Sequence, residues 1–387
     1  MQIHGRESVS LNGRWRAIID PYETGSLLFG QPTQQGFFRN HVAREPHERV
    51  EYDFDRSQLL HVPGDWNTQD ERLFFYEGSV WYKRDLDAPP PAPGMRRFVY
   101  FGAANYEARA WLNGEPLGVH EGGFTPFWFE IGDRVKGERD FLVLKVDNRR
   151  RRDAVPALDT DWWNYGGLTR DVCMVDVPST YVRDWFLQLD SGSCRRVAGW
   201  VQLDGAAPLP EVEVRVPELG LCVRSRPDAR GRAEITFEAD LELWAPARPR
   251  RYAVEIEAGA DRVTDRIGFR TLEVRGDEIL LNGEPIFLRG ISIHAEAPLR
   301  GGRACGDTDA RTLLGWARDL GCNLVRLAHY PHDEAMVRAA DEMGLLCWCE
   351  IPVYWAIDWR NPETLECARV QLAEMIGRDH NRASVAL

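Results

Sequence analysis

Residues 321–350, GCNLVRLAHYPHDEAMVRAADEMGLLCWCE, decide the fold. In the stretch 323–328 the run from Leu324 to Ala328 is apolar except for Arg326, the pattern of a strand covered on both faces. Met336, Ala339, Ala340 and Met343 then recur at helical spacing, and Gly344 stands where a helix is expected to end in a left-handed residue. The stretch LLCWCE at 345–350 is the next strand. Two strands joined through a helix are parallel, because antiparallel neighbours need only a short turn.

The same rhythm extends both ways. Upstream, IFLRGI at 286–291 reads as a strand, and Ala310, Leu313, Leu314, Ala317 and Leu320 mark a helix that stops at Gly321. Downstream, Leu365, Ala368, Leu372, Met375 and Ile376 mark another helix, and Ser384 to Leu387 would begin a fourth strand. Residues 273–387 therefore read as three βα units and the start of a fourth. Before them the text is all β. Residues 1–178 hold short apolar runs such as RFVYF (97–101), ARAWL (108–112) and FLVLKV (141–146), with an Asn113-Gly114 hairpin signal, as in a sandwich or jelly roll. Residues 179–272 alternate cleanly: Val212, Val214 and Val216 share a face, as do Ala233, Ile235 and Phe237, and Tyr252, Val254 and Ile256. That is a second, smaller sandwich of immunoglobulin-like size.

Composition limits the function classes. Against 48 basic residues stand 60 acidic ones, a net charge of −12, which disfavours nucleic acid and anionic membrane as partners. No apolar run reaches the roughly 18 residues of a membrane span, and MQIHGRESVS lacks a signal-peptide core. A soluble protein is expected, cytoplasmic by default, or periplasmic or secreted if a signal has been trimmed. Eight cysteines without a CxxC pair read as buried free thiols. No cofactor is expected, and a homo-oligomer is compatible with the sequence. The 14 tryptophans suit sugar faces and large β cores alike.

Chemistry gathers where the parallel strands end, the place where such sheets bind ligands. The first strand runs into His294 and Glu296, the second holds Arg326 and leads to His329 and His332, and the third ends on Glu350, before Tyr354 and Trp355. Arg326 inside an apolar strand demands a carboxylate, whether for structure or for a site. His329 and His332, three apart, could face a metal, but hydrogen bonding of His329 to a polar ligand is the preferred reading. Glu350 is either a rim ion pair or a carboxylate that tunes the site. Far away, DTDWWNYGGLTRDV at 159–172 sets Asp161, Trp162, Trp163, Asn164 and Tyr165 before a Gly-Gly turn. Such a loop could meet a sugar's hydroxyls and ring face, or plug a domain interface.

These residues resemble glycoside hydrolase family 2, the β-glucuronidases, β-galactosidases and β-mannosidases. The likeness is carried by LLNGEPIFLRGISIHAEAPLRGG (280–302) and by the match of Asn323–Pro331 to an N-A-V-R-x-S-H-Y-P motif. It implies a sugar-binding jelly roll, an immunoglobulin-like sandwich and the start of a TIM barrel. It further implies a retaining exo-β-glycosidase acting on a terminal β-linked sugar of a glycoside or oligosaccharide. Asp161 and Asn164, in a loop like the D-F-F-N-Y-A-G of β-glucuronidases, and His294, Glu296, Arg326, His329 and Glu350 would then surround that sugar. NRASVAL at 381–387 resembles the segment leading to W-S-x-x-N-E, so both catalytic glutamates are expected after Leu387, and residues 1–387 are expected to be inactive alone. The sequence also departs from the family. VYWAID at 353–358 replaces the magnesium-binding E-x-H of the galactosidase type, and His294-Ala295-Glu296 replaces H-E-D or H-E-H. The DWWNYGG loop favours a glucuronidase-like enzyme over a galactosidase. A non-catalytic carbohydrate-binding protein is the alternative.

Overall fold

The computed structural model describes residues 1–28, 31–32, 36–42, 45, 47 and 52–387. Their fold follows from which face each strand buries. In Glu107–Leu112, Ala108, Ala110 and Leu112 are buried, and the neighbouring strand Asp140–Asp147 buries Leu142, Leu144 and Val146 on the same side. This face of a six-stranded antiparallel sheet packs on a four-stranded sheet that adds Val99, Phe101, Val172 and Met174, closing the first β-sandwich. Asn113 and Gly114 take φ of 53° and 82°, the left-handed pair that the tight hairpin there requires.

The second sandwich sets a three-stranded sheet against a four-stranded one. All nine alternating residues named above are buried in its core, so the period-two reading located both sheets.

In the third region, strands Gly290–Ile293, Leu324–Leu327 and Leu346–Cys349 pair in parallel and in that order. Helices Gly306–Asp319, Glu334–Met343 and Pro362–Asp379 connect and follow them. Gly321 and Gly344 lie at φ 78° and 74°, and a Cβ at Gly344 would meet the Pro246 carbonyl at 2.2 Å, so both conformation and space demand glycine there. The last residues rejoin the sheet: Cys347 N–H donates to the Ser384 carbonyl, Ala386 N–H to the Cys347 carbonyl, and Cys347 and Val385 form a parallel bridge.

Two expectations need correction. The first strand is not 286–291 but Gly290–Ile293. Ile286 and Leu288 instead pack beside Trp244 and Leu346, while Asn323 binds the backbone here by side chain, accepting from Arg289 N–H and donating to the Phe287 carbonyl. An apolar run that ties one domain to the next looks the same in sequence as a strand. The cysteines are all free, but only Cys173 and Cys347 are buried, whereas Cys194 and Cys222 are exposed. No described helix is long and apolar enough to cross a membrane.

The domains are joined by polar pins. Asp265 of the second sandwich is almost fully buried and accepts from Arg338 Nη1 at 2.8 Å and Arg382 Nη2 at 2.6 Å, both from the third region. Asn381 is equally committed, accepting from Leu187 N–H and donating to the Trp185 carbonyl.

Candidate functional site

The three parallel strands stop at Ile293, Leu327 and Cys349, and His294, His329 and Glu350 follow within two residues of those ends. Parallel pairing puts the strand ends side by side, so residues far apart in sequence converge. Within Leu324–Leu327, Val325 and Leu327 are buried in the helix-facing core, which turns Arg326 to the other face, in register with Ser292 and Trp348.

There Arg326 finds the carboxylate its position requires. Its Nε donates to Glu350 Oε1 at 2.5 Å and its Nη2 to Oε2 at 3.1 Å, a two-pronged pair. The same Nη2 donates to His329 Nδ1 at 3.1 Å. A guanidinium only donates, so in this contact Nδ1 accepts, with Glu350 Oε2 3.4 Å from the same nitrogen, and Nε2 is left to face the pocket. That nitrogen faces Asp161 Oδ1 at 3.8 Å, across the gap to the loop of the first domain. Asp161 is in turn held by the Tyr354 hydroxyl, which donates to Oδ2 at 2.6 Å. A chain of contacts thus runs Glu350, Arg326, His329, Asp161, Tyr354, fixing the orientation of the ring.

The hydrogen bond to Asp161 raises the pKa of the Tyr354 hydroxyl, which keeps it a donor. Burial, with His329 beside it, holds the His294 imidazole below its ordinary value, so it is neutral at pH 7. The His294 and His329 rings lie 5.2 Å apart. Trp162 closes the floor, its ring 5.7 Å from His329, 5.2 Å from Tyr330 and 5.2 Å from Tyr354. The two readings of the loop therefore meet: buried Trp162 plugs the domain interface and, by doing so, brings Asp161 to the barrel. Asp161, His294 and His329 offer one ligand atom each within 4.8 Å of one another, a spacing that could hold a metal ion. A carboxylate acceptor beside two imidazoles also suits a pair of hydroxyls, one donating to Asp161 and one bonding an imidazole nitrogen.

Asn164, an expected site residue, and His332, named only for a metal spacing set aside in favour of His329, are both held by the protein itself. The Asn164 side chain accepts from Asn105 Nδ2 at 3.1 Å and donates to the Asn148 carbonyl at 2.7 Å, so it shapes the loop from behind. His332 is buried, its Nε2 donating to the Ala328 carbonyl at 3.1 Å, away from any ligand position. Glu296 is half-buried and acts on His294 and Tyr330 through its charge.

Burial lowers the His332 pKa to about 3. The unfolded ring protonates near pH 6.5, so between there and about pH 3 the unfolded state binds the extra proton and stability falls as pH falls. Urea midpoints are expected to drop from pH 7 to pH 5 more in the wild type than in His332→Gln. Equal slopes would show that the buried imidazole does not carry this loss.

Sequence reasoning missed Tyr354 as the partner of Asp161, and it missed Arg303. The Arg303 guanidinium is buried against the rings of Phe124, Tyr165 and Tyr330 at 5.1, 5.1 and 4.8 Å, and the backbone N–H of Arg303 donates to Asp65 of the first domain. No local pattern announces it, because all its partners come from other segments.

Comparison with known proteins gives the same frame. Residues 10–178 match the family model "Glycosyl hydrolases family 2, sugar binding domain", and residues 272–387 match "Glycosyl hydrolases family 2, TIM barrel domain". The chain is 27% identical to a β-glucuronidase of Paenibacillus borealis, over 99% of this chain and 67% of the relative. It is also 27% identical to a β-galactosidase of Thermoanaerobacter pseudethanolicus, over 89% and 49%. The β-glucuronidase from Ruminococcus gnavus in complex with D-glucuronic acid superposes with a TM-score of 0.82 at 25% identity, covering 100% of this chain and 66% of that one. The chain spans about half the length of the curated relatives it matches.

Proposed function

Because the chain belongs to glycosyl hydrolase family 2, we propose that it forms the terminal-sugar pocket of a retaining exo-β-glycosidase, glucuronidase-like in preference to galactosidase-like. The observation that carries this reading is the convergence of Asp161, from the first domain, with His294, His329 and the Arg326–Glu350 pair at adjacent strand ends. We read the first sandwich as a jelly roll, the second as immunoglobulin-like, and the third region as the beginning of a (β/α)8 barrel.

In this reading Asp161 accepts from a sugar hydroxyl, His329 and His294 bond its neighbours, and Trp162 meets the ring's apolar face. Both Glu350 oxygens accept from Arg326, so in this reading Glu350 orients the site and is not assigned as the acid/base. Retaining hydrolysis uses a carboxylate pair about 5–5.5 Å apart, and no residue described above is assigned to that pair. One group of such a pair protonates the leaving oxygen while the other attacks the anomeric carbon. The test is to assay the protein that carries this chain on 4-nitrophenyl β-D-glucuronide and β-D-galactoside, following the anomer first released by proton NMR. Release of the β-anomer is expected, with the glucuronide preferred. Failure to cleave either substrate, or initial release of the α-anomer, overturns the reading.

A further inference from the structure

Two imidazoles and a carboxylate meet in the pocket, and that donor set suits a second kind of ligand. Asp161, His294 and His329 come from three separate segments, yet one ligand atom of each lies within 4.8 Å of the other two. His329 Nε2 and Asp161 Oδ1 are 3.8 Å apart. Around a tetrahedral ion with bonds of about 2.1 Å, neighbouring ligand atoms stand about 3.4 Å apart, so the spacing here is slightly open and closes by a small turn of side chains. Asp161 has the room to turn, its side chain being 52% exposed against 13% for His329.

Two of the three ligands also have a partner behind them, as metal ligands do. The Tyr354 hydroxyl donates to Asp161 Oδ2 at 2.6 Å and leaves Oδ1 to the pocket. Behind His329, Glu350 Oε2 stands 3.4 Å from Nδ1. With the ring proton on Nδ1, that carboxylate accepts it and Nε2 presents a lone pair to the ion. The Arg326 contact to Nδ1 is then given up, while its Nε stays on Glu350 at 2.5 Å. Around the two rings the carboxylates of Asp161, Glu296 and Glu350 outnumber the guanidiniums of Arg326 and Arg303, a balance that favours a cation.

We propose that Asp161, His294 and His329 bind a divalent transition-metal ion, Zn²⁺ in preference to Mg²⁺ or Ca²⁺, in the place of the sugar, and that the ion is thereby a reversible inhibitor. The metal site stands on the geometry alone, and the inhibition rests on the glycosidase reading above. Two imidazole nitrogens and one oxygen are donors that Zn²⁺, Cu²⁺ and Ni²⁺ accept, whereas Mg²⁺ and Ca²⁺ are held by oxygens. Three protein ligands leave the fourth position of a tetrahedral ion to water. A sugar hydroxyl that needs Asp161 Oδ1 or His329 Nε2 finds both taken, so ion and sugar exclude each other. These ligands lie outside VYWAID at 353–358, the segment that stands where the galactosidase type carries its magnesium-binding E-x-H.

The experiment titrates ZnCl₂, and separately MgCl₂, by calorimetry into the protein that carries this chain, with and without saturating methyl 1-thio-β-D-glucuronide or the corresponding thiogalactoside, whichever binds. Thioglycosides resist cleavage, so affinity is read apart from chemistry. The wild type and the control His332→Gln are expected to bind one Zn²⁺ per chain, at least about tenfold more tightly than Mg²⁺. Tyr354→Phe should weaken zinc by about tenfold, the lower end for a partner behind a ligand, and Asp161→Asn and His329→Ala by more. Tyr354→Phe keeps all three ligands and carries the test where a ligand variant does not fold. The thioglycoside should weaken zinc by at least about tenfold in the wild type. No zinc binding, or zinc binding undiminished in all three variants, overturns the metal site and leaves the glycosidase reading standing. Mg²⁺ bound as tightly as Zn²⁺ also overturns it, because the imidazoles then hold no ion. Zinc that the variants weaken but a bound thioglycoside does not shift overturns the exclusion, and with it the place of the sugar on these residues. Binding of neither thioglycoside overturns the glycosidase reading and the inhibition, and the zinc titration then decides the metal site by itself.

Discussion

Replacing His329 by alanine is expected to lower kcat/KM for a terminal β-glycoside by a factor on the order of 10² or more, because the lost hydrogen bond is one that strengthens as the sugar distorts. The size follows from how completely the ring is fixed. Arg326 Nη2 occupies Nδ1 at 3.1 Å, Tyr354 packs over the ring at 4.6 Å, and Nε2 is left facing Asp161 across the pocket. A donor fixed in this way needs no reorganisation when charge shifts in the transition state, so its removal acts on kcat more than on KM. Arg326→Lys separates orientation from contact. Lysine gathers its three N–H groups on one nitrogen and cannot reproduce the planar fork by which Nε and Nη2 span Glu350 and His329, so a loss of about tenfold is expected with His329 still present. Steady-state kinetics on the 4-nitrophenyl substrate checks both, and a loss below about threefold in His329→Ala would place that residue outside the site.

The parts of this site that were legible in sequence share a property. His294, Arg326, His329 and Glu350 sit at the ends of strands whose apolar pattern was strong, so their convergence followed from the parallel pairing alone. Asp161 was legible only through its resemblance to a family loop; nothing in its spacing says that it crosses to another domain. Asn164 was placed at the sugar by the same resemblance, and in the structure its amide bonds Asn105 and the Asn148 carbonyl. An amide that binds a ligand and one that binds the backbone of Asn148 carry the same letter, and only the fold tells them apart. Tyr354 and Arg303 were illegible because each is defined by partners that sequence distance hides, 193 residues for the Tyr354 to Asp161 bond. The strand error at 286–291 has a further cause: the side chain of Asn323 replaces ladder bonds there, and a hydrophobic run bound by a side chain reads as one bound by a strand.

Loss of the Asp265 carboxylate should cost about 3–5 kcal/mol, the range for removing one partner of a buried ion pair. Burial alone would raise the pKa of this group, but Arg382 and Arg338 outweigh burial and hold it well below the usual carboxylate range. Its stabilising contribution is therefore complete above the unfolded value near pH 4 and is lost as pH falls below that. In Asp265→Ala the Arg382 guanidinium, with 2% of its side chain exposed, keeps only the Arg266 carbonyl at 3.2 Å and Asp341 at 3.5 Å. Arg338 keeps Glu334 at 2.7 Å, which sets the expectation toward the lower end, about 3 kcal/mol. Asp240→Ala, which breaks an exposed pair with Arg195, is the control and should change stability by no more than about 1 kcal/mol. Equilibrium urea unfolding at pH 7 and pH 3 reads both effects, and the difference between wild type and Asp265→Ala should shrink at the lower pH. A cost below about 1 kcal/mol at pH 7 would mean that Asp341 takes over the charge of Arg382. In that case the third region is held to the second sandwich mainly by the packing of Trp244 on Leu346 and Ala383. The full cost would mean that one buried carboxylate sets the angle between these two domains. The strand ends that carry His329 and Glu350 belong to the domain so fixed, and the same variant should then weaken sugar binding although Asp265 touches no site residue.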